Sequence, residues 1–192
     1  NDTLLAEYTV NYKKTHSQTL LPMLDEISNM TELDLSTIDA IAVAGGPGSF
    51  TGLRIGSATA KGLGLALEKP LISIPTTAAI AYNIWDTDKF VCPIMDARRN
   101  QIYTGVYCYT DHRLDTVWEQ DTMSIEALAE GLNCLDHEVI FLGDGVAVYR
   151  EKLEALLTIP FSFAPAHVNR QRAAAVGALA EVYYKEGKIQ TA

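Results

Sequence analysis

The chain has 192 residues, 48% hydrophobic and 20% charged, enough to bury a real core in one large domain or two compact halves. Its 15 basic and 24 acidic side chains give a formal net charge of −9, which repels a phosphate backbone and excludes a lone nucleic-acid binder of the usual basic kind. The most apolar stretch, residues 53–67, is interrupted by Arg54, Ser57, Thr59 and Lys61, so it falls short of the roughly 20 apolar residues of a membrane helix.

Residues 1–10 have no basic start and no long apolar run, so no secretory signal is expected and the expected location is the cytoplasm. Residues 4–10, Leu-Leu-Ala-Glu-Tyr-Thr-Val, read as a strand. Residues 17–30 read as a helix, with Leu20, Leu21, Leu24 and Ile27 at helical spacing. His16 stands at its start. The short, nearly continuous apolar run 38–44 has the pattern of a strand covered on both faces. A helix over 51–68 and a strand over 70–74 follow, and this β-α-β-α-β order favours an α/β layer.

Between the second strand and its helix lies Gly45-Gly-Pro-Gly-Ser49. Two readings stand. One is a tight turn, with Pro47 fixing φ and Ser49 or Thr51 capping the helix. The other is a phosphate contact, although neither a Walker loop nor a GxGxxG fingerprint fits the spacing. The helix itself is small or apolar over most of its circumference. Gly52, Gly56, Ala60 and Gly64 form one row without large side chains, and Ala58, Gly62 and Ala66 form a second. Interior helical glycines cost roughly 1 kcal/mol each against alanine, so tight helix packing is expected there, inside the protein or against another subunit.

The second half starts after a connector near 85–89. Strands are expected over 90–95 and 101–109, the second with Ile102, Thr104, Val106 and Cys108 alternating, around the turn Asp96-Ala-Arg-Arg-Asn100. A helix over 124–131, a strand over 139–142, a Gly143-Asp-Gly145 turn, a helix over 146–157 and a final helix over 170–186 complete the chain. Arg98 and Arg99 could hold an anion, or simply sit in a solvated hairpin turn. The Gly-Asp-Gly turn resembles a nucleotide contact no more than an ordinary turn.

No catalytic set emerges from the residues. His16, His112, His137 and His167 lack HExxH or HxxxH spacing, and there is no GxSxG elbow. Cys92, Cys108 and Cys134 form no CxxC, and read as reduced thiols rather than a disulfide framework or zinc site.

The segments GGPGSFTGLRIGSATAKGLGLAL, KPLISIPT, KKTHSQTLLPML and DARRNQIYTGVY together closely resemble the TsaB (YeaZ) family, most specifically over residues 45–74. The resemblance implies a two-lobed actin-like (RNase H-like) ATPase fold of the α/β class. The lobes are expected at 1–85 and 86–169, with a C-terminal helix over 170–192 returning to the first. It implies a role in forming threonylcarbamoyladenosine in tRNA next to the anticodon, as the non-catalytic partner of a TsaD transferase subunit. A TsaE ATPase would be a further component, a second copy would replace TsaD when it is missing, and tRNA would be reached only through the complex.

The implied interface uses His16, Leu20, Leu24 and Ile27 of one helix with Gly52, Gly56, Ala60 and Gly64 of the other. No cofactor of its own is expected, ATP and metal belonging to the partner subunits. Where the transferase relative has an NHLEGH-like segment with two metal-binding histidines, this chain has Pro75-Thr-Thr-Ala-Ala-Ile80. Thr76 and Ile80 thus stand at the ligand positions, and neither replaces an imidazole. The family's first strand, with its Ile-Asp-Thr-Ser-like turn, and a short tail after Ala192 are expected outside these residues, so weak or no ATP binding by this subunit alone is expected. The competing classes are a stand-alone ATPase or peptidase of the actin-like/glycoprotease superfamily and a homodimeric binding module.

Overall fold

The computed structural model describes residues 3–11 and 16–191, the side chains of 16–18 excepted. It divides into two compact units, Asn1–Pro75 with Arg172–Ala192, and Thr76–Gln171. The division falls after Pro75, ten residues before the expected connector. Residues 76–85, assigned from sequence to the first lobe, belong to the second unit.

In the first unit, helix α1 (His16–Thr31) is followed by a single 3₁₀ turn over Leu35–Thr37, where Asp34 accepts the Ser36 N–H at 2.9 Å. Strand β1 (Ile41–Gly46), helix α2 (Phe50–Leu67) and strand β2 (Leu71–Pro75) then form a βαβ unit. β1 and β2 pair in parallel, Ile41 opposite Leu71 and Ala44 opposite Ile74. Parallel neighbours need a crossover, and α2 supplies it. The last helix, α6 (Ala173–Lys185), packs on both strands, and Gln190 closes an antiparallel bridge to Leu71.

Residues 3–11 form no regular element, in contrast to the strand expected over 4–10. A strand is completed by ladder bonds to a neighbour, and none pairs with this segment among the described residues. Leu4 and Leu5 are accordingly exposed. The segment is held instead by Glu7. Its carboxylate accepts hydrogen bonds from Arg172 Nε at 3.2 Å, from Arg172 Nη2, and from the Ala174 N–H at 2.9 Å. It therefore caps the first turn of α6 from a distant part of the chain, where a negative charge is favoured.

Burial by itself would raise the Glu7 pKa, but the Arg172 hydrogen bond, the Ala174 N–H and the Arg172 charge outweigh it and hold the group below its ordinary value. A depressed carboxylate stabilises the fold above its unfolded pKa of about 4.3, and that contribution is lost as pH falls through the lower folded value. Glu7→Gln is expected to destabilise the first unit by roughly 2 kcal/mol at neutral pH, the size of a hydrogen bond to a charged group. The gap from wild type in urea midpoint should narrow as pH falls below about 4. A gap that stays constant with pH would remove the ionised capping role.

The second unit begins with the short helix α3 (Thr76–Ala81), all six residues buried. Strands β3 (Phe90–Arg98), β4 (Gln101–Thr110) and β5 (Arg113–Met123) follow as an antiparallel meander. Then come α4 (Ile125–Asn133), β6 (Val139–Leu142), α5 (Val146–Leu156) and β7 (Phe161–Phe163). The five-stranded sheet has the order β5-β4-β3-β6-β7, with β6 parallel to both β3 and β7.

Alternation sorts its two faces. Cys92, Ile94, Ile102 and Val106 meet Leu128 and Leu132 of α4 and Val146, Tyr149 and Leu153 of α5. Tyr107, of opposite parity, turns to α3, where its hydroxyl lies 2.7 Å from Thr77 Oγ1, itself 2.9 Å from Gln120 Oε1.

α3, β5 and β7 have no sequence-based counterpart. α3 is too short and too uniformly buried to show a helical period, and β5 is a polar edge strand, the usual way of blunting a sheet edge.

Candidate partner-binding surface

The Gly-Gly-Pro-Gly stretch is the turn from β1 into α2. Ser49 caps α2, its Oγ accepting the Gly52 N–H at 3.4 Å. Gly46 has a φ of 116°, and a Cβ on Gly45 would collide with the Ser73 side chain of β2. Capping, left-handed backbone and close strand approach account for these residues as structure. Arg54, one turn into α2, stacks its guanidinium 3.9 Å from the Phe50 ring centroid, and Phe50 is two-thirds exposed.

The two rows of small residues on α2 take different faces. In the row 52/56/60/64, Gly52 and Gly56 are half-buried, Ala60 and Gly64 are buried, and a Cβ at Gly56 would sit 3.8 Å from Val43 Cγ2 of β1. At Gly56 the row lets α2 lie close on β1 of its own sheet. Ala60 and Gly64 are thus covered within this chain, whereas Gly52 and Gly56 keep part of their surface open.

The outward row is Ala58, Gly62 and Ala66, all exposed, with nothing within 4 Å of a Cβ built at Gly62. Leu65, beside that row, is 67% exposed. α1 packs on α2, with Leu20 and Ile27 half-buried and Leu24 exposed. His16 opens α1, but its side chain lies outside the described residues. Leu21 and Met30, at 56% and 80% exposure, add to the apolar surface of α1.

Thr76 and Ile80 lie in α3, both buried. Ile80 offers no donor atom, and Thr76 Oγ1 has no hydrogen-bond partner. A hydroxyl and a sec-butyl group one helical turn apart do not fit a metal that takes imidazole ligands. Among the described residues no group of three or more His, Cys, Asp or Glu is placed to hold a metal ion.

The Gly-Asp-Gly turn packs against β3. Gly145 N–H donates to Ile94 O at 3.0 Å, and Gly143, at φ 106°, donates to Asn169 Oδ1 at 3.0 Å. Its glycines are accounted for by that approach. Cys92 is buried, and burial pushes its thiol up to about 12, which makes it inert as a nucleophile at neutral pH. No helix among the described residues is long and apolar enough to cross a membrane.

Comparison with known proteins adds an independent line. The family model described as TsaD, tRNA N6-adenosine threonylcarbamoyltransferase, matches residues 3–191. A Bacillus subtilis protein named tRNA threonylcarbamoyladenosine biosynthesis protein TsaB is 35% identical over 156 residues, covering 81% of this chain and 68% of the relative. The Haemophilus influenzae protein of the same name is 32% identical, over 76% of this chain and 65% of its own length. The chain thus spans about two thirds of these relatives. Among solved structures, YeaZ from Pseudomonas aeruginosa superposes with a TM-score of 0.77 at 25% identity, covering 93% of this chain and 82% of that one.

Proposed function

Because this chain belongs to the TsaB (YeaZ) family, whose curated members named above are threonylcarbamoyladenosine biosynthesis proteins, we propose that it is the non-catalytic subunit that pairs with a TsaD-type transferase. Modification of tRNA by that complex would then depend on assembly rather than on chemistry in this chain. The observation that carries the reading is the pair Thr76 and Ile80. The match to the transferase model runs over nearly the whole chain, yet these positions lack metal-binding side chains.

The proposed contact is the α1–α2 surface, refined by the burial pattern to Leu24 of α1 and to Ala58, Gly62, Leu65 and Ala66 of α2. Small outward residues let a partner helix approach closely, and Leu65 supplies an apolar anchor. A TsaE-type ATPase, a second copy of this chain in the absence of TsaD, and a cytoplasmic setting belong to the same reading. So does the absence of a cofactor of its own.

The test is co-purification of this protein with the TsaD from its own source. Ala58→Arg and Leu65→Arg are expected to weaken pairing tenfold or more while leaving the unfolding transition within about 0.5 kcal/mol of wild type, as for surface changes. Wild-type pairing in both variants would remove the outward row from the interface. Failure of wild type to pair would favour the homodimeric module, and peptide or ATP hydrolysis by the isolated chain would favour a stand-alone enzyme.

A further inference from the structure

The β3–β4 hairpin ends in three consecutive non-glycine residues with left-handed backbone. Arg98, Arg99 and Asn100 have φ of 65°, 52° and 59°. Arg98 pairs with Gln101, so residues 99 and 100 form a two-residue loop in which positive φ is usual. The favoured residues there are Asn-Gly, because a Cβ crowds the backbone in this conformation. Arginines at 98 and 99 go against local preference, and such outliers point towards function.

The tip is also pinned. Asp96 Oδ1 accepts the Arg98 N–H at 2.9 Å, Asp144 Oδ1 accepts the Asp96 N–H at 3.3 Å, and Lys152 Nζ donates to Asn100 Oδ1 at 3.0 Å. The nearby carboxylates thus have backbone N–H groups as partners. Elsewhere in this unit Lys89 pairs with Glu138, Arg150 with Glu154, and Lys152 with Glu126. Arg98 and Arg99 are exposed, and neither has a carboxylate partner among the described residues. In a chain of net charge −9, two adjacent unpaired guanidinium groups on a fixed turn are a local exception to the acidic surface. Guanidinium matches phosphate oxygens in bidentate geometry, and at physiological salt distant surface acids are screened beyond about 8 Å.

Resting on the partner-subunit reading above, we infer that Arg98 and Arg99 form a phosphate-binding tip through which this subunit itself touches the tRNA backbone. Contact with RNA is then shared between the subunits, and this one grips without reading bases.

The experiment measures binding of an unmodified tRNA transcript to the assembled complex across a salt series, for wild type, Arg98→Gln/Arg99→Gln and Arg170→Gln. The last removes an exposed cation elsewhere in the same unit. The double variant should assemble normally, bind tRNA at least tenfold more weakly at low salt, and lower the log–log salt slope by about 1.5, as loss of two phosphate contacts requires. The paired single variants should each give part of the loss. An unchanged slope and affinity in an intact complex, or a loss no greater than that from Arg170→Gln, would overturn the phosphate tip while leaving the partner reading standing. Absence of any wild-type complex would overturn both.

Discussion

Gly143→Ala is expected to cost the second unit on the order of 4 kcal/mol, a large share of the 5–15 kcal/mol that holds a typical domain. Two costs add. At φ 106° any side chain is strained, by roughly 1–2 kcal/mol. The new Cβ would lie 3.0 and 3.2 Å from Ile94 C and N, and closer still to Ile94 O. Those are backbone atoms of β3, the middle strand of the sheet, and the Gly145 N–H is bonded to that same carbonyl. The strand cannot give way without disturbing its ladders on both sides, so overpacking adds about 1–3 kcal/mol.

Both tryptophans, Trp85 and Trp118, lie in this unit, so their fluorescence follows its unfolding alone. A cost of that size should lower the urea midpoint by about 2 M, given the usual dependence of 1–3 kcal/mol per molar. Gly177→Ala is the contrast, because nothing lies within 4 Å of a Cβ there, inside α6. It should leave the tryptophan transition unmoved and stabilise α6 by up to about 1 kcal/mol. A Gly143→Ala midpoint within error of wild type would contradict the close approach of the turn to β3.

Gly56→Leu is the second large effect, and it separates the two faces of α2. An alanine at this site meets Val43 Cγ2 at 3.8 Å, ordinary contact, and should be tolerated. The three further carbons of leucine are expected to press on Val43 of β1. Moving α2 off β1 would cost about 3 kcal/mol, the upper end for overpacked cores. Loss of partner binding in this variant should therefore accompany loss of structure. Hydrogen exchange at β1 and β2 amides is the readout, and it should quicken strongly for Gly56→Leu while staying at the wild-type rate for Ala58→Arg. A Gly56→Leu protein with wild-type exchange and no pairing would instead return the 52/56/60/64 row to the subunit interface.

The expectations that held and those that failed differ in where their causes lie. α2 was legible because its start is written locally, in Ser49 and the glycines before it. α4, α5 and β6 were legible from spacing in the same way, and the family was legible because residues 45–74 combine several unusual choices in a fixed order. The alternation at Ile102, Thr104, Val106 and Cys108 gave β4 as a strand, but it did not show that Gly105 and Tyr107 between them are buried as well. The strand expected over 4–10 failed for the opposite reason: an extended segment becomes a strand only through a neighbour's N–H and C=O groups, and what secures Glu7 lies 165 residues away at Arg172.

The site divides along the same line. Helical spacing by itself determined that α2 carries two small rows, and the family resemblance, with the chemistry of a hydroxyl and an alkyl group, implied that Thr76 and Ile80 do not replace histidines. Which row is buried depends on where β1 lies, and that only the tertiary structure decided, because the covering atoms of Val43 are brought to Gly56 by the β1-α2 packing and not by any pattern within the helix. The same holds for Arg98 and Arg99. The sequence shows two adjacent cations, and the fold adds the left-handed turn, the hydrogen bonds that pin it and, among the described residues, no ion pair to either guanidinium.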